Sequence, residues 1–325
     1  MIFLIGMCVA GLAVLILGAE LLTRSAVLLS QQLHIPPIII GLTVVALGTS
    51  TPELAVGIDA ALKGQGALAV ANIAGTNTVN ILLILGLSAL IKPLALQEQT
   101  LRMDLPAIVV AASLMLGLSV DGVLSRGDGV LLLAVGMVYA IFILRAARRE
   151  SRLLRAAVLS EYSEPQIVEG RTLRTVVSIV KLVVGIALVV SSADWLVAGA
   201  TGLAGLWGVS DAFVGLTIVA IGTSAPELAT TVMSTIKGDR DVAIGNLLGS
   251  SVYNICIILG VTCVIPAAGL EVAQELLRWD IPIMVAVAIA CVPIFRSGRR
   301  VSQVEGGLLV GAYLTYLIVL LLTRL

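Results

Sequence analysis

The chain has 325 residues, of which 59% are hydrophobic and only 12% are charged, and its mean hydropathy is +1.10. Soluble domains carry about a quarter charged residues, so this composition excludes a soluble globular protein and indicates a membrane protein. The formal net charge is zero, so nucleic acid is not expected as a partner.

Apolar segments long enough to cross a membrane as helices recur along the chain, and the alternating strands of an outer-membrane barrel are absent. The first span carries Glu20 and Arg24, four residues apart, which predicts an ion pair near the membrane interface. The second span is interrupted by the sequence GTSTPE at 48–53. The first half thus contains five predicted spans, at about 2–29, 36–62, 66–91, 104–120 and 129–144.

A hydrophilic, arginine-rich segment follows at 145–175, and it is the only sizeable one in the chain. We interpret it as a loop with room for one amphipathic helix at the membrane surface. Beyond it the pattern repeats, because GTSAPE at 222–227 matches GTSTPE with a shift of 174 residues. The same shift aligns Lys237 with Lys63, Asn254 with Asn80, Gly249 with Gly75 and Asp194 with Glu20.

The repeat predicts the fold class, an all-α membrane protein with ten transmembrane helices. Residues 1–144 form the first five-helix repeat, 145–175 a basic loop and 176–325 the second repeat. Because five is odd, the second repeat enters the membrane from the opposite side, so the repeats are inverted and place their broken helices at the centre.

The distribution of positive charge predicts the orientation in the cell membrane. With residues 145–175 in the cytoplasm and both termini outside, sixteen of the 20 Lys and Arg residues lie on the cytoplasmic side. This is the bias of the positive-inside rule. The four that lie outside are Lys63, Arg126, Arg278 and Arg324.

Each interrupted span carries a carboxylate, Glu53 or Glu227, at a depth where charge is costly and therefore indicates function. Each break also fits the S-x-x-E pattern of a helix capping box, so the alternative is a glutamate that only caps a helix. We favour a polar cavity, because freed carbonyls at mid-membrane need one, and Gly48 and Gly222 permit the unwinding. The carbonyls expected to face this cavity belong to Ala46, Thr49, Ala220 and Thr223.

The third and eighth spans carry polar residues at four-residue spacing, which places them on one helix face. Hydrogen bonding between helices is the alternative for these residues. We retain that structural interpretation only for Asn72 and Asn246, as residues that hold the broken helices. The site is expected to include Thr76, Asn80, Ser250 and Asn254. Carboxylate, carbonyl, hydroxyl and amide oxygens are the ligands of hard cations, and no Cys, His or Met suggests a softer metal.

These motifs resemble the two alpha-repeats of the cation/calcium exchanger superfamily, which implies antiport of sodium against calcium by alternating access. The resemblance implies calcium ligands from Glu53, Glu227 and the carbonyls of Thr49 and Thr223. It implies one sodium site with Ser50, Thr76 and the carbonyl of Ala46, a mirrored one with Ser224, Ser250 and the carbonyl of Ala220, and Asn80 and Asn254 between them. Two positions depart from the family pattern: Thr76 replaces a usual Ser, and Asn254 stands where potassium-dependent members carry Asp, which argues against a potassium site.

The sequence therefore predicts a sodium/calcium antiporter, with a calcium/proton antiporter as the alternative and a passive cation channel as a more distant one. No enzyme motif accompanies the glutamates, and no cofactor is expected. The expected partners are calcium, sodium and the lipid bilayer, with one copy sufficient for transport. The first and sixth spans are expected to rock against a fixed core, with their glycines permitting sliding.

Overall fold

A computed structural model describes residues 1–33, 35–161, 171–206 and 220–324. It is almost entirely helical, as predicted, and the second span is broken. The first half contains α1 (Ile2–Leu33), α2 (Pro37–Ile40), α3 (Ala46–Thr49), α4 (Thr51–Leu62), α5 (Gly66–Thr78), α6 (Gly86–Ile91), α7 (Leu105–Leu118) and α8 (Arg126–Glu161).

The second half follows the same plan. Its helices are α9 (Arg171–Leu206), α10 (Ala220–Thr223), α11 (Ala225–Lys237), α12 (Arg240–Tyr253), α13 (Gly260–Val264), α14 (Ile281–Arg296) and α15 (Gln303–Arg324). Among the described residues, eight helices and one bent helix pair are long and apolar enough to cross a membrane. The remaining predicted span, the seventh, is described only from Ala220 onwards, as α10 and α11.

The segment at 145–175, interpreted as a loop with room for one amphipathic helix, is helical over both of its described parts. Helix α8 continues without a break to Glu161, and α9 already begins at Arg171; residues 162–170 lie outside the described part. The reason is local, since no Gly or Pro occurs between Leu144 and Glu161, and Arg, Leu and Ala are strong helix formers. Hydrophilic composition alone does not end a helix.

Five short π-helical segments interrupt the described spans, and four of them occupy equivalent places in the two repeats. Val79–Leu85 matches Asn254–Leu259, and Thr100–Asp104 matches Leu276–Asp280; the fifth is Gly41–Val45. Such bulges inside α-helices often accompany functional sites. Two of these segments begin at or beside Asn80 and Asn254.

Two small antiparallel sheets, which the sequence did not predict, join the repeats to each other. Strand β1 (Leu94–Ala95) pairs with β4 (Arg300–Val301), and β2 (Val123–Leu124) pairs with β3 (Leu270–Glu271). Each sheet therefore connects a loop of one repeat with a loop of the other. The loop between spans three and four must lie on the same side as the loop between spans nine and ten, which agrees with inverted repeats.

The first and sixth spans pack closely against each other through glycines. A Cβ atom on Gly11 would lie 3.0 Å from the backbone nitrogen of Leu196, and one on Gly185 would lie 2.8 Å from that of Leu22. Glycine permits this approach because it has no side chain. The prediction that these glycines permit sliding over the core needs correction, since Gly11 and Gly185 join α1 to α9.

The centre of the molecule is equally tight where the second span crosses the eighth. A Cβ atom on Gly245 would lie 2.5 Å from the carbonyl oxygen of Ile38, and one on Gly249 would lie 2.8 Å from the Cα atom of Leu42. Gly41 faces the same contact. This backbone-to-backbone packing fixes the broken span of the first repeat on the second repeat, next to Ser250.

Candidate functional site

The break in the second span occurs at a single residue, Ser50. Helix α3 ends at Thr49, α4 begins at Thr51, and the two parts of the span meet at a bend of 43°. The equivalent break in the second repeat falls at Ser224. Gly48 does not unwind the helix as expected; it lies within α3, where a Cβ atom would be 2.6 Å from the side chain of Ile186 in α9.

The serine half of a capping box is not formed, because neither Ser50 nor Ser224 makes a side-chain hydrogen bond that caps the following helix. Instead, the hydroxyl of Ser50 donates to Oε1 of Glu227, 3.0 Å away in the other repeat. The two breaks therefore face each other across the interface between the repeats.

Glu227 is fully buried, and hydroxyl donors converge on one of its carboxylate oxygens. Besides Ser50, the hydroxyl of Ser250 points to the same Oε1 atom at 3.5 Å. The second oxygen, Oε2, has no hydrogen-bond partner among the described residues. The carbonyl of Ala46, which accepts from the backbone N–H of Ser50 at 3.1 Å, is buried beside them on α3.

Glu53 is also fully buried, but neither of its carboxylate oxygens has a partner in the described part of the chain. Its charge lies close enough to that of Glu227 for the two to interact. The hydroxyl of Ser224 and both amide atoms of Asn80 and Asn254 are likewise buried and unpartnered there. Buried polar groups normally find partners, so this concentration of oxygens requires an explanation beyond folding.

Packing between the repeats brings these residues together. Helix α4, which carries Glu53, packs on the π segment that begins at Asn254, and α11, which carries Glu227, packs on the π segment that contains Asn80. Helix α10, with Thr223, packs on α5, with buried Thr76. Each glutamate therefore lies beside the polar span of the opposite repeat.

Asn246 holds the broken helices, as predicted. Its amide nitrogen donates to the hydroxyls of Thr230 at 2.8 Å and Thr231 at 3.1 Å, and its Oδ1 accepts from the hydroxyl of Thr49 at 3.2 Å. The two threonines were missed because they occur in only one repeat. The equivalent Asn72 has an amide nitrogen without a partner among the described residues. The positions that would match the two threonines are Val56 and Gly57.

The arrangement is suited to a cation. Two carboxylates with three unpartnered oxygens, joined by amide and hydroxyl oxygens, form the donor set of a hard cation, and their two negative charges match a divalent ion. Without a cation, two like charges would remain close together away from water, which is unfavourable. Asp59, which the sequence left out of the site, is exposed and paired with Lys63.

Comparisons with known proteins agree over almost the whole chain. The family described as sodium/calcium exchanger protein matches residues 3–145 and 177–322. The chain is 33% identical over 322 residues to inner membrane protein YrbG of Escherichia coli, covering 98% of this chain and 97% of that protein. It is 36% identical over 309 residues to the putative antiporter CaxA of Alkalimonas amylolytica, covering 94% and 95%.

The fold also has solved counterparts. A structure of the sodium-calcium exchanger NCX_Mj, soaked with Na⁺ and Sr²⁺, superposes with a TM-score of 0.83 and covers 98% of this chain and 99% of its own, at 24% sequence identity. This likeness confirms the predicted fold of ten membrane helices arranged as two inverted five-helix repeats.

Proposed function

Because this chain belongs to the sodium/calcium exchanger protein family and is a multi-pass membrane transporter, we propose that it exchanges sodium for calcium by alternating access. The family makes it a cation/calcium antiporter rather than an enzyme, and the transported ions are its substrates. The proposed direction is calcium extrusion, driven by sodium that enters the cell.

One observation carries the proposal: the carboxylates of Glu53 and Glu227 are fully buried and largely without partners among the described residues, and Ser50, three residues before Glu53, contacts Glu227. In the proposed site they bind calcium with the backbone carbonyls of Thr49 and Thr223. Asn80 and Asn254 are proposed to lie between the two halves. Their side chains are neutral and cannot balance the charges of the two glutamates, so a bound calcium ion would balance them.

Sodium is proposed to use the hydroxyls and carbonyls that flank the glutamates. The hydroxyls of Ser50 and Ser250 already lie at Glu227, and the Ala46 carbonyl is buried on the same helix turn as Ser50. One proposed site consists of Ser50, Thr76 and the carbonyl of Ala46, and the mirrored site consists of Ser224, Ser250 and the carbonyl of Ala220. Sodium carries one charge, so neutral oxygens of this kind can complete its shell, and competition for shared glutamates would couple the two ions.

We also propose the orientation that the positive charges predicted, with the Lys237 end of α11 in the cytoplasm. A Cβ atom on Gly238 would lie 3.3 Å from Nζ of Lys92. The loop after α11 and the loop after α6 therefore lie on the same side of the membrane. The positive-inside rule then assigns that side to the cytoplasm. Labelling of engineered cysteines at Lys92 and Lys63 in intact cells would test the assignment.

The test of function is calcium uptake into proteoliposomes loaded with sodium. Uptake is expected when external sodium is low, and it should cease when sodium is equal on both sides. A pH gradient alone should give no uptake. Uptake that ignores sodium but follows the pH gradient would overturn sodium as the counter-ion.

The proton alternative has a specific observation behind it, because Glu53 accepts no hydrogen bond among the described residues and a buried carboxylate of this kind can carry a proton. The same proteoliposomes decide between the two. A channel would instead give calcium flux that needs no counter-ion gradient at all.

A further inference from the structure

An ion pair fastens the peripheral helix α1 to the core at one end of the molecule. The Nζ atom of Lys237, at the end of α11, lies 2.7 Å from Oε1 of Glu20, and Arg24 pairs with the same carboxylate. Lys237 is only 21% exposed. Beside this contact, the hydroxyls of Thr23 and Ser234 form a buried hydrogen bond of 3.1 Å. These contacts fasten α1 to α11 on the side of the membrane where Lys237 lies.

The equivalent residues in the other repeat have the same charges but do not meet. The shift of 174 residues that relates 48 to 222 places Asp194 on Glu20 and Lys63 on Lys237. Asp194 is exposed and forms no ion pair within the described residues. Lys63 instead pairs with Asp59 on its own helix, at 2.7 Å, with both side chains about 60% exposed.

Helix packing shows the same asymmetry. Helix α1 packs extensively on α11, whereas α9 makes no comparable contact with α4 in the part of the chain that the structure describes. The glycine contacts join α1 and α9 tightly to each other, so the two helices are expected to move as a pair. A movement that separates α1 from α11 would therefore carry α9 as well.

In an inverted-repeat transporter, the second access state arises when the two repeats exchange their conformations. We propose that Asp194 and Lys63 are positioning residues that pair with each other when Glu20 and Lys237 separate. The two ion pairs would alternate, one on each side of the membrane, and each would hold the α1–α9 pair in one access state. This inference rests on the alternating access of the proposed function.

In this scheme, Arg24 and Asp59 each supply an opposite charge to a residue whose ion-pair partner is absent. Arg24 remains one helix turn from Glu20 after Lys237 leaves, and Asp59 holds Lys63 before Asp194 arrives. Neither Glu20 nor Lys63 is then left without an opposite charge in either state. The positions that match them in the second repeat are Ala198 and Met233, so only the first repeat supplies such partners.

Cross-linking of cysteine pairs tests the proposal directly. The full chain would carry Cys8→Ala, because the other three native cysteines are buried, together with either Lys63→Cys and Asp194→Cys or Glu20→Cys and Lys237→Cys. With a short bifunctional thiol reagent, both pairs should cross-link. Ions that raise the yield of one pair should lower the yield of the other.

The control pair is Arg126→Cys with Asp194→Cys, because Arg126 lies on the Lys63 side but α8 does not pack on α9 among the described residues. It should not cross-link. If the Lys63 and Asp194 pair fails to cross-link under every ion condition in which the Glu20 and Lys237 pair succeeds, the proposal is overturned. Cross-linking needs no transport, so its result is separate from failure of the uptake assay.

Neutral variants give a second test. The proposal predicts that two such variants change the half-saturating calcium concentration in opposite directions, whereas a merely structural role predicts no such opposition. Asp194→Asn removes a pair from the alternate state, so it should lower the half-saturating calcium concentration on the Lys63 side by about two- to five-fold. Glu20→Gln should raise it by a similar factor. Glu98→Gln, which removes an exposed ion pair within one helix, should leave it unchanged. Changes of the same sign in the first two variants would contradict the alternation.

Discussion

The two broken spans have nearly the same sequence, yet their surroundings differ. Glu227 receives hydroxyl donors, and its half of the site is tied together by Asn246, Thr230 and Thr231. Glu53 has no partner among the described residues, and its half lacks the two threonines. The ligand chemistry is duplicated, whereas the support around it is not. We infer that the Glu227 half is the fixed reference of the site and that the Glu53 half adjusts to the bound ion.

The largest expected effect comes from removing a carboxylate, the feature that both halves of the site share. Glu53→Gln and Glu227→Gln should each abolish calcium uptake, because one charge cannot balance a divalent ion. Neither should lower the melting temperature measured without calcium, since each change relieves repulsion between buried like charges. Asp59→Asn is the control, because Asp59 is 62% exposed, and it should retain uptake. Substantial uptake by either glutamine variant would refute the site.

The difference in support predicts a difference in stability. Asn246→Ala should reduce the free energy of unfolding by roughly 1–2 kcal/mol, because hydrogen bonds between membrane helices contribute about 0.6 kcal/mol each and Asn246 makes three. Asn72→Ala should cost less than about 0.5 kcal/mol. Denaturant titration in detergent would measure both. Equal losses would show that the two halves are supported alike.

The smallest expected effect compares the serines at the two breaks. Ser50→Ala removes the donor to Glu227 and should cost about 0.5 kcal/mol of stability, while Ser224→Ala, whose hydroxyl has no partner among the described residues, should cost nothing measurable. Both should raise the half-saturating sodium concentration by about two- to five-fold, as expected for losing roughly 0.5–1 kcal/mol of binding. If only Ser50→Ala affects sodium, the mirrored sodium site is not used.

Much of this arrangement could be predicted from the sequence, because the repeat and the apolar periodicity act over whole segments. The broken spans, the third span at Gly66–Ile91 and the ion pair of Glu20 with Arg24 are confirmed. The role of Asn246 is confirmed as well. The membership of the ion site stays a prediction that the proposed experiments must test.

The features that escaped prediction depend on contacts between distant residues or on small local energies. Lys237 pairs with Glu20 although the two residues are far apart in the sequence. The only sequence signal for Lys237 was its equivalence with Lys63. The threonines of α11 had no match in the first repeat to draw attention to them. The π segments and the exact position of the break at Ser50 reflect one-residue changes in helix hydrogen bonding, which composition does not reveal.

The two small sheets have a consequence for how the protein is assembled. Strand β4 lies between the last two spans, so β1 waits for its partner until nearly the whole chain has been synthesised. Glu53 likewise acquires its acidic neighbour only when the second repeat docks. We expect the newly made first half to persist in the bilayer as an open intermediate. Closure of the sheets would then mark the final step of maturation, and a chain truncated before β4 should be a substrate for membrane proteases.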